Sequence, residues 1–167
     1  MRQKDLKQKD NFRCNAILYS LGRVVLLIMV ALTVADVVYL HITSDGKMAI
    51  GMMVSHITLL LGVRATQASA AAMCYAVAYI MIACIALFSI LAGKHYVWSI
   101  IGAIIFSIDT LVTLWFFLAV GGSSFLITLC VHIFAQVFAI CAIVAGRSLS
   151  RSGRGVKGSL KLAVRGV

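Results

Sequence analysis

Long apolar runs separated by short polar segments fill most of the 167-residue chain. A membrane-spanning helix needs about 20 predominantly apolar residues, because each residue advances the helix by about 1.5 Å. Four runs meet this length, at roughly 16–40, 70–93, 96–119 and 124–146. The pattern therefore predicts four transmembrane helices.

A fifth apolar run, MAIGMMVSHITLLLGV at 48–63, would extend only about 24 Å as a helix. Its small residues Gly51, Ser55, Thr58 and Gly62 recur on one helical face, and such a face lets helices approach closely. We expect a short re-entrant or tilted segment that packs on other helices; a fifth span is the alternative. The predicted fold class is all-α, a polytopic transmembrane helix bundle.

Composition supports a membrane protein. The chain is 62% hydrophobic and 12% charged, with a mean hydropathy of +1.05, far from the make-up of a soluble domain. It contains 13 glycines and no proline, which fits continuous helices better than the broken helices of many transporters. Its five cysteines show no CxxC or zinc-ligand spacing and read as small buried apolar residues.

Basic residues flank the apolar region on both sides. They are Arg2, Lys4, Lys7, Lys9 and Arg13 before the first run, and Arg147, Arg151, Arg154, Lys157, Lys161 and Arg165 after the last. The positive-inside rule places both tails in the cytoplasm, so the number of crossings is even, and four fits. We expect a basic N-terminal tail at 1–15, a transmembrane domain at 16–146 and a basic tail at 147–167.

On a helix, the C-terminal basic residues fall on one side and most apolar residues of the tail on the other. Several glycines weaken this helix, so we expect it to form only when bound. Lipid or partner contact is assigned to the six basic residues at 147–165, with anionic lipid of the inner leaflet as the expected surface and an acidic partner protein as the alternative. The tail lacks interleaved aromatic residues, so no direct nucleic-acid contact is expected.

Polar residues interrupt the last two apolar runs, which meet at the sequence GGSS, 121–124. With the turn centred between Gly122 and Ser123, equal residue offsets lie at equal depths. This arrangement predicts an intramembrane polar ladder: Asp109 level with Gln136 and Thr113 level with His132. An acid at this depth is costly, so it is expected to be neutral and bound to Gln136 or paired with a protonated His132.

The ladder has two interpretations: hydrogen bonds that hold one helical hairpin together, or a relay for protons or cations. Asp36, His41 and His56 form a second group, expected near the outer surface, where a metal or pH-sensing site is conceivable. Haem is disfavoured because only His132 is clearly deep. No metal and no cofactor is predicted.

No nucleophile–base pair and no G-x-S-x-G, H-E-x-x-H or P-loop motif occurs, so the chain is not expected to be an enzyme. The leading hypothesis is a non-enzymatic subunit or accessory protein of a larger envelope assembly, such as a secretion or conjugative DNA-transfer machine, in a bacterial inner membrane. Its partners would be other membrane subunits or copies of itself. The alternative is a small oligomeric channel or proton-coupled transporter that uses Asp109 and His132.

Overall fold

The computed structural model describes residues 2–43 and 50–151, which fold almost entirely into helices. In chain order these are α1 (Arg2–Thr43), α2 (Met53–Arg64), α3 (Ala68–Leu91), α4 (Val97–Val120) and α5 (Ser123–Arg151). The predicted all-α fold is confirmed. The part of the chain that the structure describes contains no strand.

Four of the helices are long and apolar enough to cross a bilayer, at Asn11–Thr43, Ala68–Leu91, Val97–Val120 and Phe125–Arg151. Helix α2 has 12 residues. At about 1.5 Å per residue it extends only about 18 Å, too short to span the hydrocarbon core. The prediction of four crossing helices plus one short segment is therefore confirmed.

The bundle core lies between α1, α3, α4 and α5. It contains a cluster of buried residues to which each of these helices contributes: Leu26, Met29, Met52, Ile85, Ala103, Phe106, Ala135 and Ala139. Helices α1 and α5 approach especially closely at Gly22, where an added Cβ would lie 2.5 Å from the carbonyl oxygen of Phe138. A glycine is needed there because any side chain would push the two backbones apart.

Helix α2 runs parallel to α1 and begins deep inside the bundle. The residue before it, Met52, contacts Thr33 of α1 through its backbone N–H, whereas Leu59 packs with Leu40 near the end of α1. Its first turn also meets Asp109, which lies at the middle of the 24-residue helix α4. The segment thus begins beside the middle of α4 and runs toward the end of α1, as expected for a re-entrant segment.

The expected borders between tails and membrane domain fall inside continuous helices. Helix α1 runs unbroken past 15 and α5 past 146. The two helices remain in contact there, since Asn15 donates to the Ser148 hydroxyl at 3.0 Å and Leu149 is buried against α1. Arg147 and Arg151 are exposed on α5; the other four basic residues of the C-terminal pattern lie outside the described residues.

Candidate functional site

The first backbone N–H groups of α2 are buried and need hydrogen-bond acceptors. The first N–H groups of a helix have no partner within it, and in hydrocarbon each unsatisfied group costs several kcal/mol. Met52, at the N-cap position, makes no side-chain hydrogen bond to the helix. The acceptors must come from neighbouring helices.

Helix α1 supplies acceptors for three consecutive N–H groups. The Oδ2 atom of Asp36 accepts from Ile50 at 2.9 Å and from Gly51 at 2.6 Å. The Thr33 hydroxyl accepts from Met52 at 2.8 Å. These bonds fix the chain as it enters α2.

Helix α4 supplies the next two acceptors from a single side chain. Asp109 is fully buried, and its Oδ2 accepts from Met53 at 3.2 Å while its Oδ1 accepts from Val54 at 2.7 Å. Five successive N–H groups, from 50 to 54, are therefore bound by three side chains. The positive end of the α2 dipole therefore faces the Asp109 carboxyl group.

His132 of α5 completes the site. Its Nε2 lies 2.9 Å from Oδ2 of Asp109, and its Nδ1 lies 2.8 Å from the carbonyl oxygen of Thr128. Its ring stacks on Phe106, with centroids 5.4 Å apart and planes 7° from parallel. The imidazole is fully buried and held on three sides.

The hydrogen-bond partners of His132 limit the protons that the site holds. A carbonyl oxygen only accepts, so the Nδ1 of His132 carries a hydrogen and donates to Thr128. A close contact between Nε2 and the Asp109 Oδ2 then requires one proton between them. The site can therefore be a carboxylate–imidazolium pair or a neutral acid donating to a neutral imidazole.

The structure brings together part of the predicted ladder. Asp109 pairs with His132, and the Thr113 hydroxyl donates to the backbone oxygen of Asp109 at 2.9 Å. Gln136, expected level with Asp109, instead donates through Nε2 to the Ser107 hydroxyl at 2.6 Å. The four ladder residues lie on the facing sides of α4 and α5, but Asp109 and Gln136 do not bond.

The turn explains part of this difference in register. It is made by Gly121 and Gly122, which have φ values of 70° and 105°, a region that glycine adopts at little cost. Helix α5 therefore begins at Ser123, so the centre of the turn lies about one residue earlier than the expected position between Gly122 and Ser123. A centre one residue earlier moves the residue level with Asp109 from Gln136 to Phe134, which is closer to His132, and it places Gln136 level with Ser107, its observed partner.

The small-residue face of α2 packs within the chain. A Cβ added to Gly51 would lie 2.4 Å from the Cα of Thr33, and one added to Gly62 would meet side chains of α3. Ser55 is fully buried, and Thr58 is half-buried with its hydroxyl bonded to α2 carbonyl oxygens. Helices α1 and α3 fill this face, so the segment packs on other helices of the same chain.

The predicted outer group of Asp36, His41 and His56 is not assembled as a site. Asp36 binds the entry to α2, His41 is exposed and bonds the Val37 carbonyl oxygen of its own helix, and His56 is buried in α2. No cluster of three or more His, Cys, Asp or Glu side chains suited to a metal occurs in residues 2–43 and 50–151.

Sequence reasoning missed the roles of Thr33 and Arg23. Thr33 lies one turn before Asp36 on α1, and that spacing places both side chains on the face that receives α2. The Arg23 guanidinium donates to the carbonyl oxygens of Ser89 at 3.1 Å and Ile90 at 3.4 Å, so it caps the negative end of α3. An arginine inside an apolar run is the signal that would have marked this contact.

Chemically, the start of α2 is a dense set of hydrogen bonds around one buried carboxyl–imidazole pair. It can bind and hold a proton, and it has the residues of neither a nucleophile–base pair nor a metal cluster among those described. No protein-family model, curated protein or solved structure matches the chain.

Proposed function

We propose that this chain is a non-enzymatic membrane protein that acts through helix packing, as a subunit or accessory factor of a larger assembly. One observation carries the proposal: Asp36 and Asp109, the acids within the spanning helices, are both engaged in seating α2. Side chains used in this way stabilise a scaffold. The cleft lined by α1, α3, α4 and α5, beside Arg23 and Trp98, is too narrow to admit a water molecule, so the four helices pack closely at this point.

Helix α3 offers the best face for a partner helix. Its outward side combines exposed small residues, Ser69, Ala72, Ala76 and Ala83, with larger apolar ones. By contrast, the outward sides of α4 and α5 carry bulky residues such as Leu118 and Val144. Small residues let helices approach closely, so this face suits another spanning helix.

The setting of such an assembly belongs to the same proposal. A secretion or conjugative machine in a bacterial inner membrane is consistent with the small size and the basic ends of the chain. With both basic ends in the cytoplasm, Arg147 and Arg151 would lie beside anionic lipid headgroups.

Site-directed crosslinking in the native host tests the proposal. In a background with the five cysteines replaced, Ala76→Cys on α3 should give a crosslinked membrane partner, which mass spectrometry identifies. Val144→Cys, an exposed position on α5, is the matched control and should give none. If no position on α3 crosslinks and mild-detergent purification yields the chain without a stoichiometric partner, the proposal is wrong.

A small oligomeric channel or proton-coupled transporter is the second candidate. The observation that favours it is the short helix α2, whose N-terminus bonds Asp109, the partner of His132, at the middle of spanning helix α4. Half-helix ends and buried ionisable residues at this depth are common in ion and proton pathways.

Proteoliposome flux separates the two candidates. A transporter predicts a pH-dependent flux that Asp109→Asn abolishes. Asp36→Asn is the control, because it disturbs the same helix start without touching the Asp109–His132 pair. Absence of flux in the wild type, or equal losses in both variants, would count against a proton pathway.

A further inference from the structure

We infer that Asp109 and His132 form a proton-binding site in the middle of the membrane, occupied as a carboxylate–imidazolium pair, whose charge state holds the start of α2. The inference stands under either proposed function. Its basis is the set of contacts around the pair.

The hydrogen bonds favour the ionised form over the neutral one. The Asp109 carboxyl group faces three donors: the N–H groups of Met53 and Val54, and the Nε2 of His132. An ionised carboxylate accepts all three, whereas a neutral acid turns Oδ2 into a donor although Met53 also donates to that atom. The positive end of α2 adds to this preference.

The same contacts determine how the loss or gain of a proton by the Asp109–His132 pair affects the start of α2. Loss of the proton leaves a lone pair on Nε2 facing the Asp109 Oδ2, because the bond from Nδ1 to Thr128 prevents the ring from presenting its other hydrogen. Gain of a second proton removes the negative charge of Asp109 and weakens its bonds to Met53 and Val54. The start of α2 is therefore held most firmly when the pair carries one proton.

Other titratable groups around the pair are few. Asp36 of α1 holds the preceding N–H groups at Ile50 and Gly51, and His56 is buried one turn into α2. Helix α3 contains no acidic or basic residue. Asp36 thus holds the entry to α2 independently of the pair. The N–H groups of Ile50 and Gly51, which donate to Asp36, therefore report on this entry without contacting Asp109 or His132.

The first test uses the wild-type protein in detergent at neutral pH. The chain has five acidic residues, all aspartate, so ¹³C-aspartate labelling gives few carboxyl bands in the infrared spectrum, and subtraction of Asp109→Asn assigns one. The expected result is a carboxylate band for Asp109 and the ¹⁵N signature of an imidazolium for His132. A protonated carboxyl band for Asp109 with a neutral His132 would overturn the inference.

The second test measures amide hydrogen exchange at 50–54. His132→Gln should raise exchange at Met53 and Val54 by about tenfold to a hundredfold, the effect of weakening charge-assisted bonds, and leave Ile50 and Gly51 protected. Asp36→Asn should give the reverse pattern and leave the His132 signal unchanged. Equal exchange at Met53 and Val54 in wild type and His132→Gln would refute the role of the pair.

A pH series on the wild type tests the link between charge and α2 without any substitution. As the Asp109 carboxyl becomes protonated, protection at Met53 and Val54 should fall with the same midpoint. Appearance of the protonated band with unchanged protection at these two amides would show that the charge does not hold the helix.

Discussion

Replacing Gly51 with alanine should destabilise the protein, because the added methyl group would overlap the backbone of α1. A Cβ at this position would lie 2.4 Å from Cα, 2.5 Å from N and 2.6 Å from Oγ1 of Thr33. Two of these atoms belong to the α1 backbone and cannot rotate away. The entry to α2 must therefore move outward.

The magnitude follows from two contributions. Overpacking of this kind costs about 1–3 kcal/mol. Outward movement also weakens the bonds from Asp36 to the N–H groups of Ile50 and Gly51 and from Thr33 to that of Met52, each worth about 0.6 kcal/mol on the membrane-protein average. We expect a loss of about 2–4 kcal/mol in the free energy of unfolding.

The assay is unfolding by sodium dodecyl sulfate in mixed micelles, followed by circular dichroism and by the reactivity of the native cysteines. Gly102→Ala is the matched control, because a Cβ there meets its nearest atom, the Phe88 Cβ, at an ordinary 3.5 Å. Alanine inside helix α4 should be neutral or stabilise by up to about 1 kcal/mol. Equal stability of Gly51→Ala and wild type would refute the close packing of α2 on α1.

Three further substitutions test the contacts by the same unfolding assay. Thr33→Val leaves the buried N–H of Met52 without its acceptor and should cost about 1–3 kcal/mol, whereas Thr33→Ser should cost less than half as much. Arg23→Gln should cost about 0.5–2 kcal/mol because it uncaps α3, and Arg23→Lys should have a stability between those of wild type and Arg23→Gln. Equal stability of Arg23→Lys and wild type would refute a role for the guanidinium fork. Tyr19→Phe removes a hydroxyl that donates to the Ala92 carbonyl oxygen at 2.5 Å and should cost about 1 kcal/mol, and an unchanged transition would show that this bond contributes nothing.

The helices were predictable from sequence because the bilayer imposes a length. Each of the four runs of about 20 or more apolar residues forms a helix long enough to span, and the run at 48–63 forms the expected short segment and not the alternative fifth span. The ends were less predictable. Helix α5 continues to Arg151 because Leu149 and Ser148 still find partners on α1, a tertiary contact that no local pattern encodes.

The site was predictable only within one hairpin. A short turn fixes the approximate register of α4 and α5, so Asp109 could be placed near His132, but it was expected level with Gln136, four residues further along α5. The two glycines of the turn account for part of that difference. The contact of Asp109 with Met53 and Val54 joins helices far apart in sequence. The periodicity of a sequence shows which face of a helix is buried but not which distant helix covers that face. The packing of the start of α2 against α1 and α4 could therefore not be predicted from the sequence.

The buried start of α2 explains why the spanning helices contain two acidic residues, Asp36 and Asp109. A helix that begins inside a membrane bundle presents N–H groups that water cannot reach, and those of residues 50–54 must all find acceptors. Carboxylates suit this task because each accepts several hydrogen bonds and is favoured by the positive helix end. Asp36 alone could not serve all five, because the α2 axis carries Met53 and Val54 away from α1 and toward α4, where Asp109 receives them. Asp109 lies the deeper of the two, at the middle of α4, and is the one that carries a histidine partner. The histidine therefore marks the position where an unpaired charge would be most costly.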